Sequence, residues 1–192
     1  MVTIIFAHPK HASLNGRILK QMIDVCKSKS EVYTVIDLCQ DDFSPVLTEE
    51  ELDGFYNGVA VDPLVKQYQD TLMKTDKLIV LFPIWWNECP AILKGFFERV
   101  CLGNFAFEYV QGGVRPKMKH IKSSLTVTTS HAPTEVLKNV QGNMVERQVI
   151  GHMLKGIGIE QNTWLNFGGT KERDIKEDVE FMDNVKQAVL SL

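Results

Sequence analysis

Cysteine is scarce and scattered: the 192 residues hold four, Cys26, Cys39, Cys89 and Cys101, and no two form a C-x-x-C pair. That spacing excludes a zinc ribbon and a dithiol redox motif, and predicts free, mostly buried thiols. No stretch approaches the roughly 20 apolar residues of a membrane span, so membrane insertion is not expected. Met1 leads straight into Val2-Thr3-Ile4-Ile5-Phe6-Ala7, without the basic start and longer apolar run of a secretory signal. A cytoplasmic, reduced location is the expectation. Charge of one sign is also lacking. A net charge of -3 gives no field that would favour nucleic acid, an anionic membrane or a polyanionic substrate, which leaves a small partner. G-x-G-x-x-G and the P-loop pattern are absent, so the usual dinucleotide and NTPase readings lose their support. The nucleophile elbow G-x-S-x-G and the H-E-x-x-H pattern are absent too, and neither a triad hydrolase nor a metal site is expected. No repeat, low-complexity tract or Pro/Ser-rich linker divides the chain, which reads as one domain over 1–192.

What is present is an alternation. Short apolar runs at Val2 to Ala7, Glu31 to Asp37, Lys77 to Pro83, Ser124 to Thr129 and Gln161 to Phe167 read as strands. Between them, apolar residues recur at helical spacing over Leu14 to Lys27, Pro63 to Thr75, Ala91 to Val100, Val140 to Lys155 and Ile175 to Leu192. Thr48, with Glu51 three residues on, has the form of a capping box and starts a further short helix. Strand and helix in turn predict an α/β fold with a parallel sheet covered on both faces. Asp41 to Thr48 and Asn104 to Lys119 are irregular and long for connections in such a fold, which marks them as candidate pocket walls.

Ligands of open α/β sheets bind beyond the carboxyl ends of the strands, so the segments after the first, third and fourth strands carry the chemistry. The first is His8-Pro9-Lys10-His11-Ala12-Ser13-Leu14-Asn15. Ser13 is placed to cap the next helix, whose free N–H groups can hold a phosphate with help from His8 and Asn15; a capped helix beside an exposed histidine is the other reading. The second, Pro83-Ile84-Trp85-Trp86-Asn87-Glu88-Cys89-Pro90, sets two tryptophans between prolines and offers aromatic surface to a flat ring. The third is Thr128-Thr129-Ser130-His131, whose hydroxyls and amides suit the polar edge of the same ring.

His8-Pro9, Ser13-Leu14-Asn15, Phe82-Pro83-Ile84-Trp85-Trp86 and the long run Pro90-Ala91-Ile92-Leu93-Lys94-Gly95-Phe96-Phe97-Glu98-Arg99-Val100 together resemble the NAD(P)H:quinone oxidoreductases. That family includes mammalian quinone reductases, bacterial drug-activity modulators and general stress proteins, and ancillary subunits of potassium efflux systems. The likeness extends over almost the whole chain, and its Pro-Ala-Ile-Leu-Lys-Gly…Glu-Arg-Val element is the specific part. The resemblance implies a flavodoxin-like three-layer sandwich with a five-stranded parallel sheet in the order 2-1-3-4-5. It further implies a homodimer with FMN, or FAD, at each subunit interface, reduced by NAD(P)H and reoxidised by a quinone-like acceptor in a ping-pong cycle. Carried over by position, His8, Ser13, Leu14 and Asn15 hold the flavin phosphate and ribityl chain, and Pro83, Ile84, Trp85 and Trp86 line the ring. Thr128, Thr129, Ser130 and His131 meet its polar edge, and Gln69 falls near the cofactor. Phe107 and Tyr109 match an aromatic pair that closes over the substrate from the partner subunit, with Trp86 as the other boundary of the substrate slot.

Two departures from the family stand out. Ser130-His131 replaces a frequent Gly-Gly, and Glu135 and Gln141 stand where the mammalian enzymes carry a Tyr and a His that stabilise charge on the reduced ring. A carboxylate opposes such charge, so no catalytic side chain is assigned. The neighbouring functions are azo- or nitro-compound reduction on the same fold, and a regulatory nucleotide- or flavin-binding subunit of a potassium efflux system.

Overall fold

A computed structural model describes residues 1–170 and 175–192. In chain order its elements are β1 (Val2–Phe6), α1 (Leu14–Ser28), β2 (Tyr33–Asp37), α2 (Glu49–Gly54), a 3₁₀ turn (Phe55–Asn57), α3 (Pro63–Leu72), β3 (Lys77–Pro83), α4 (Ala91–Val100), β4 (Phe107–Val110), β5 (Gly113–Pro116), β6 (Ser123–Thr129), α5 (Thr134–Asn139), a π-helix (Val145–Leu154) running into α6 (Lys155–Ile157), β7 (Gln161–Phe167) and α7 (Ile175–Ser191). Five strands pair in parallel in the order β2-β1-β3-β6-β7, which is the expected order once the separate antiparallel hairpin β4-β5 is left out.

β1 and β3 read as nearly unbroken apolar runs because they are central and covered on both faces, whereas β6, Ser123-Ser124-Leu125-Thr126-Val127-Thr128-Thr129, is buried as deeply but is mostly Ser and Thr. Alternation along each strand divides their side chains between two cores. Leu78, Val80 and Phe82 pack with Val65, Tyr68, Leu93, Phe96 and Val149 on the face of α3, α4 and the π-helix. Ile4, Phe6, Ile79, Leu81 and Val127 pack with Ile18, Met22, Val25, Val185 and Val189 of α1 and α7 on the other.

The expected helix over Val140 to Lys155 is shifted and split. The chain forms α5 earlier, breaks around Gly142 at φ +82°, and resumes as the π-helix. The irregular stretch after Asn104 contains the hairpin. The capping box is present, with Thr48 and Glu51 bonded reciprocally.

Glu51 has a second task. Its carboxylate accepts from Nε of Arg99 on α4 at 2.9 and 3.0 Å. The same guanidinium donates to Ser44 O at 2.6 Å and to Asp62 Oδ2 at 2.8 Å, and lies 5.1 Å from the Phe43 ring centroid. Arg99 and Glu51 are 4% and 6% exposed. One side chain therefore ties the 43–62 segment to α4. Tyr68, whose hydroxyl donates to Asp41 Oδ2 at 2.8 Å, fixes the start of that segment.

Candidate functional site

The parallel strands start level, Val2 opposite Lys77, Lys77 opposite Ser123 and Ser123 opposite Gln161, so their carboxyl ends come out at one edge. Strand order reverses between β1 and β3, the place where open α/β sheets leave a crevice. A cleft of about 340 Å³ opens there. The loops after β1, β3 and β6 converge on it.

From the first loop come His8, Ser13, Leu14 and Asn15. Ser13 caps α1 by accepting from Gly16 N at 3.2 Å, while the N–H groups of Leu14 and Asn15 find no acceptor among the described residues. The loop folds back so tightly that a Cβ on Gly16 would sit 1.8 Å from His11 O. Asn15 is 3% exposed, and its Nδ2 donates to Thr129 Oγ1 at 2.8 Å. Its Oδ1 is buried without a partner, an arrangement that calls for a donor from outside the chain. Burial holds the His8 pKa below that of an ordinary histidine. The Lys10 N–H donates to His8 Nδ1 at 3.0 Å. In neutral His8 the ring proton is therefore on Nε2, which is left as a donor. His11 Nε2 meets Asp37 Oδ2 at 2.6 Å and ties the loop to β2. Ser13→Ala is expected to lower stability by about 1 kcal/mol, read in urea unfolding, because the helix loses its capping acceptor.

The second loop is a tight turn. Trp85 and Glu88 exchange both backbone hydrogen bonds at 3.0 Å, and Trp86 and Asn87 between them hold φ values of +53° and +58°. Two left-handed residues at the centre are the mark of a type I′ turn, which rarely carries tryptophan. Ile84 N donates to Thr129 O at 2.8 Å, and Asn87 Nδ2 donates to Gln141 O at 2.8 Å, so both neighbouring loops brace the turn. Pro83, Ile84 and Trp85 line the cleft, and the Trp85 ring stands 5.8 Å from that of His8. Trp86 is 101% exposed and lies outside the cleft of its own chain.

Thr129, Ser130 and His131 of the third loop line the cleft, and His131 Nδ1 lies 2.9 Å from Thr170 Oγ1. Thr128 does not. It is fully buried, donating to Asn166 Oδ1 at 2.7 Å and accepting from Trp164 Nε1 at 2.8 Å. Adjacent strand residues face opposite ways, so Thr128 and Thr129 cannot share one ligand edge. Gln69 is likewise not brought in: it is 3% exposed and donates to Val100 O at 3.1 Å, joining α3 to α4. Glu135 accepts from Asn139 Nδ2 at 3.0 Å within α5, and neither it nor the Gln141 side chain lines the cleft.

Five residues absent from the expectation belong here. Arg17, Phe167, Thr170 and Asp178 stand at the cleft, Arg17 and Asp178 paired at 3.3 Å. Behind it, Asn166 Nδ2 donates to Ser130 Oγ at 3.0 Å and to Thr134 Oγ1 at 2.9 Å, which sets the path of the third loop. An asparagine inside a strand, where it is unfavourable, was the available signal.

Phe107 and Tyr109 line a second, larger groove of about 730 Å³. Their rings are 5.5 Å apart in edge-to-face contact, and Phe55 and Tyr56 extend the cluster. None of these residues lines the first cleft. The cysteines are free, with Cys39 partly buried and the others buried. Burial pushes the thiols of Cys89 and Cys101 up to about 12, so neither is a nucleophile at neutral pH.

A family model described by its flavodoxin-like fold matches residues 1–189. Over 110 residues the chain is 34% identical to an uncharacterized NAD(P)H oxidoreductase of Haemophilus influenzae, covering 57% of this chain and 54% of that one. Over 158 residues it is 28% identical to NAD(P)H dehydrogenase (quinone) 1 of Cavia porcellus, covering 73% and 58%. The matches thus span little more than half the length of these curated relatives. Among solved structures, an NAD(P)H:quinone oxidoreductase from Methanothermobacter marburgensis superimposes with a TM-score of 0.86 at 25% identity, covering 98% of this chain and 94% of that one. A protein of Streptococcus mutans does so with a TM-score of 0.85 at 29% identity, covering 100% and 99%.

Proposed function

Because the chain belongs to the family with the flavodoxin-like fold, we propose that it is a flavin-dependent NAD(P)H dehydrogenase passing hydride to a quinone-like acceptor. The observation that carries this reading is the β1/β3 cleft. It combines unpaired N–H groups at the start of α1, the orphaned Asn15 Oδ1 and an indole on the adjoining loop. These fit a flavin. The free N–H groups suit its phosphate, Asn15 Oδ1 suits a hydroxyl of the side chain, and Trp85 with Ile84 suits the ring face. Bound flavin supplies the two-electron redox chemistry.

The chain's own work is to hold and to exclude. His8 would offer its Nε2 proton to the anionic end of the flavin, and the loop of Thr129 to His131 would meet the polar ring edge with the groups that its bonds to Ile84, Phe167 and Thr170 leave free. Arg17, Thr170 and Asp178 add polar and charged groups to the lining of the cleft, and FMN is put ahead of FAD in this reading. The exposed aromatic hairpin supports a homodimer, since Tyr109 is 61% exposed and covers a partner's cleft better than it faces water. Donor and acceptor each require contact within about 3–3.5 Å of one ring face, and so occupy one slot in turn.

Heat release and chromatography are expected to yield one flavin per chain, and initial rates at several fixed quinone concentrations to give parallel double-reciprocal lines against NADH or NADPH. A colourless protein that binds neither FMN nor FAD overturns the proposal, and intersecting lines overturn the alternation.

A further inference from the structure

We propose that the large groove beside the hairpin is a separate binding site for a planar aromatic anion, with Lys155 as the residue that selects the charge. The inference goes beyond the flavin-dependent reading above, because the groove and the β1/β3 cleft share no lining residue. The groove has two characters. Its aromatic wall of Phe55, Tyr56, Phe107 and Tyr109 suits a flat ring system. Its rim carries charge, and the rim is where the choice is made. Of the ionisable residues that line it, Lys94 and Glu98 are bonded to each other and cancel. On the hairpin, Glu108 is taken up by Arg115 at 2.7 Å. Lys155 has no acidic partner among the described residues, and His152 stands one turn before it on the same helical segment. The uncancelled charge at the groove is therefore positive, and a neutral aromatic leaves it unanswered. A sulfonate or carboxylate on the ring pairs with it.

Gly156 offers a way to test position as well as charge. It lines the groove, and a Cβ there meets no atom within 4 Å, so a large side chain at this point takes up ligand space without disturbing the backbone. Flavin-loaded protein is titrated calorimetrically with anthraquinone-2-sulfonate and with its neutral counterpart, 2-(hydroxymethyl)anthraquinone. The sulfonate is expected to bind roughly fivefold more tightly, the effect of one partly screened ion pair. Lys155→Met is expected to abolish that preference and leave the neutral ligand unchanged, and added salt to erode it. Gly156→Phe is expected to weaken both ligands while flavin content stays the same. Equal affinities in the unaltered protein, or an equal loss of both ligands in Lys155→Met, would overturn the charge selection. Unchanged binding in Gly156→Phe would overturn the location. If that variant instead shifts the mass in light scattering with binding intact, the groove seats a second copy of the chain. Should the protein retain no flavin, the earlier proposal fails by itself, and the same titration of flavin-free protein still reports on the groove.

Discussion

Arg99→Met is expected to destabilise the protein by about 3–5 kcal/mol at neutral pH, a large part of what holds a domain folded. Methionine fills much of the volume, so the loss is electrostatic: Glu51 stays buried without its cation, Ser44 O loses its donor, and Asp62 keeps only its role as the cap of α3. Burial by itself raises the Glu51 pKa. Hydrogen bonds from Arg99 and the Thr48 backbone outweigh it and bring the carboxyl below the ordinary glutamate value. Asp62 is lowered against its burial in the same way, by Arg99 and the N–H of Leu64. A carboxylate whose pKa is depressed on folding contributes stability above its unfolded pKa and loses it as pH falls through the folded one. The native protein should therefore lose stability below about pH 4.5. In Arg99→Met the Glu51 carboxyl takes up a proton on folding instead, so the gap between the two proteins narrows as pH falls. Urea unfolding at pH 7, at pH 4.5 and about one unit lower measures both, and Glu51→Gln added to Arg99→Met is expected to recover part of the loss. A gap under about 1 kcal/mol that does not change with pH would place the network among pairs that contribute little.

Gly16→Ala is expected to lower flavin affinity by about 100-fold, equivalent to some 3 kcal/mol, and to reduce the unfolding temperature. The added methyl would lie 1.8 Å from His11 O and 2.5 Å from the His11 carbonyl carbon. These are backbone atoms, and no rotamer change can clear them. The loop has to lift, which opens the His11–Asp37 contact and displaces His8 and the N–H groups of Leu14 and Asn15 together. Gly156→Ala is the control. Its methyl meets open space within a helical turn, where alanine is better tolerated than glycine by roughly 1 kcal/mol. Flavin fluorescence titration beside thermal unfolding separates the two. Equal affinities for Gly16→Ala and the native chain would mean that the loop does not contact the phosphate.

How much of this was legible in the sequence depended on the range of the interaction. The strands were readable because burial on both faces leaves their composition almost no choice, as in Ile4-Ile5-Phe6 or Leu78-Ile79-Val80-Leu81. The Thr48–Glu51 box was readable because both partners lie within one helical turn. Nothing near Arg99 in the chain announces that it meets Glu51, 48 residues away, and helical periodicity alone would put a charged residue in water. Thr128 shows a different failure. Position along a resemblance grouped it with Thr129, although the period of a strand already sends the two to opposite faces. The helix expected from Val140 was misjudged because apolar spacing runs across Gly142, whose left-handed backbone breaks it.

The Asn15–Thr129 hydrogen bond joins residues 114 positions apart, and this bears on the order of assembly. β1 lies between β2 and β3, so the first 83 residues contain three adjacent strands that can pair while the rest of the chain is still emerging from the ribosome. The cleft cannot exist at that stage. Its third wall belongs to β6 and the loop after it, and Asn166, which sets that loop, belongs to β7. Contacts this distant in sequence are slow to close, so the ability to capture a ligand arrives with the last strand, and a chain arrested before β7 has most of its sheet but no place for one.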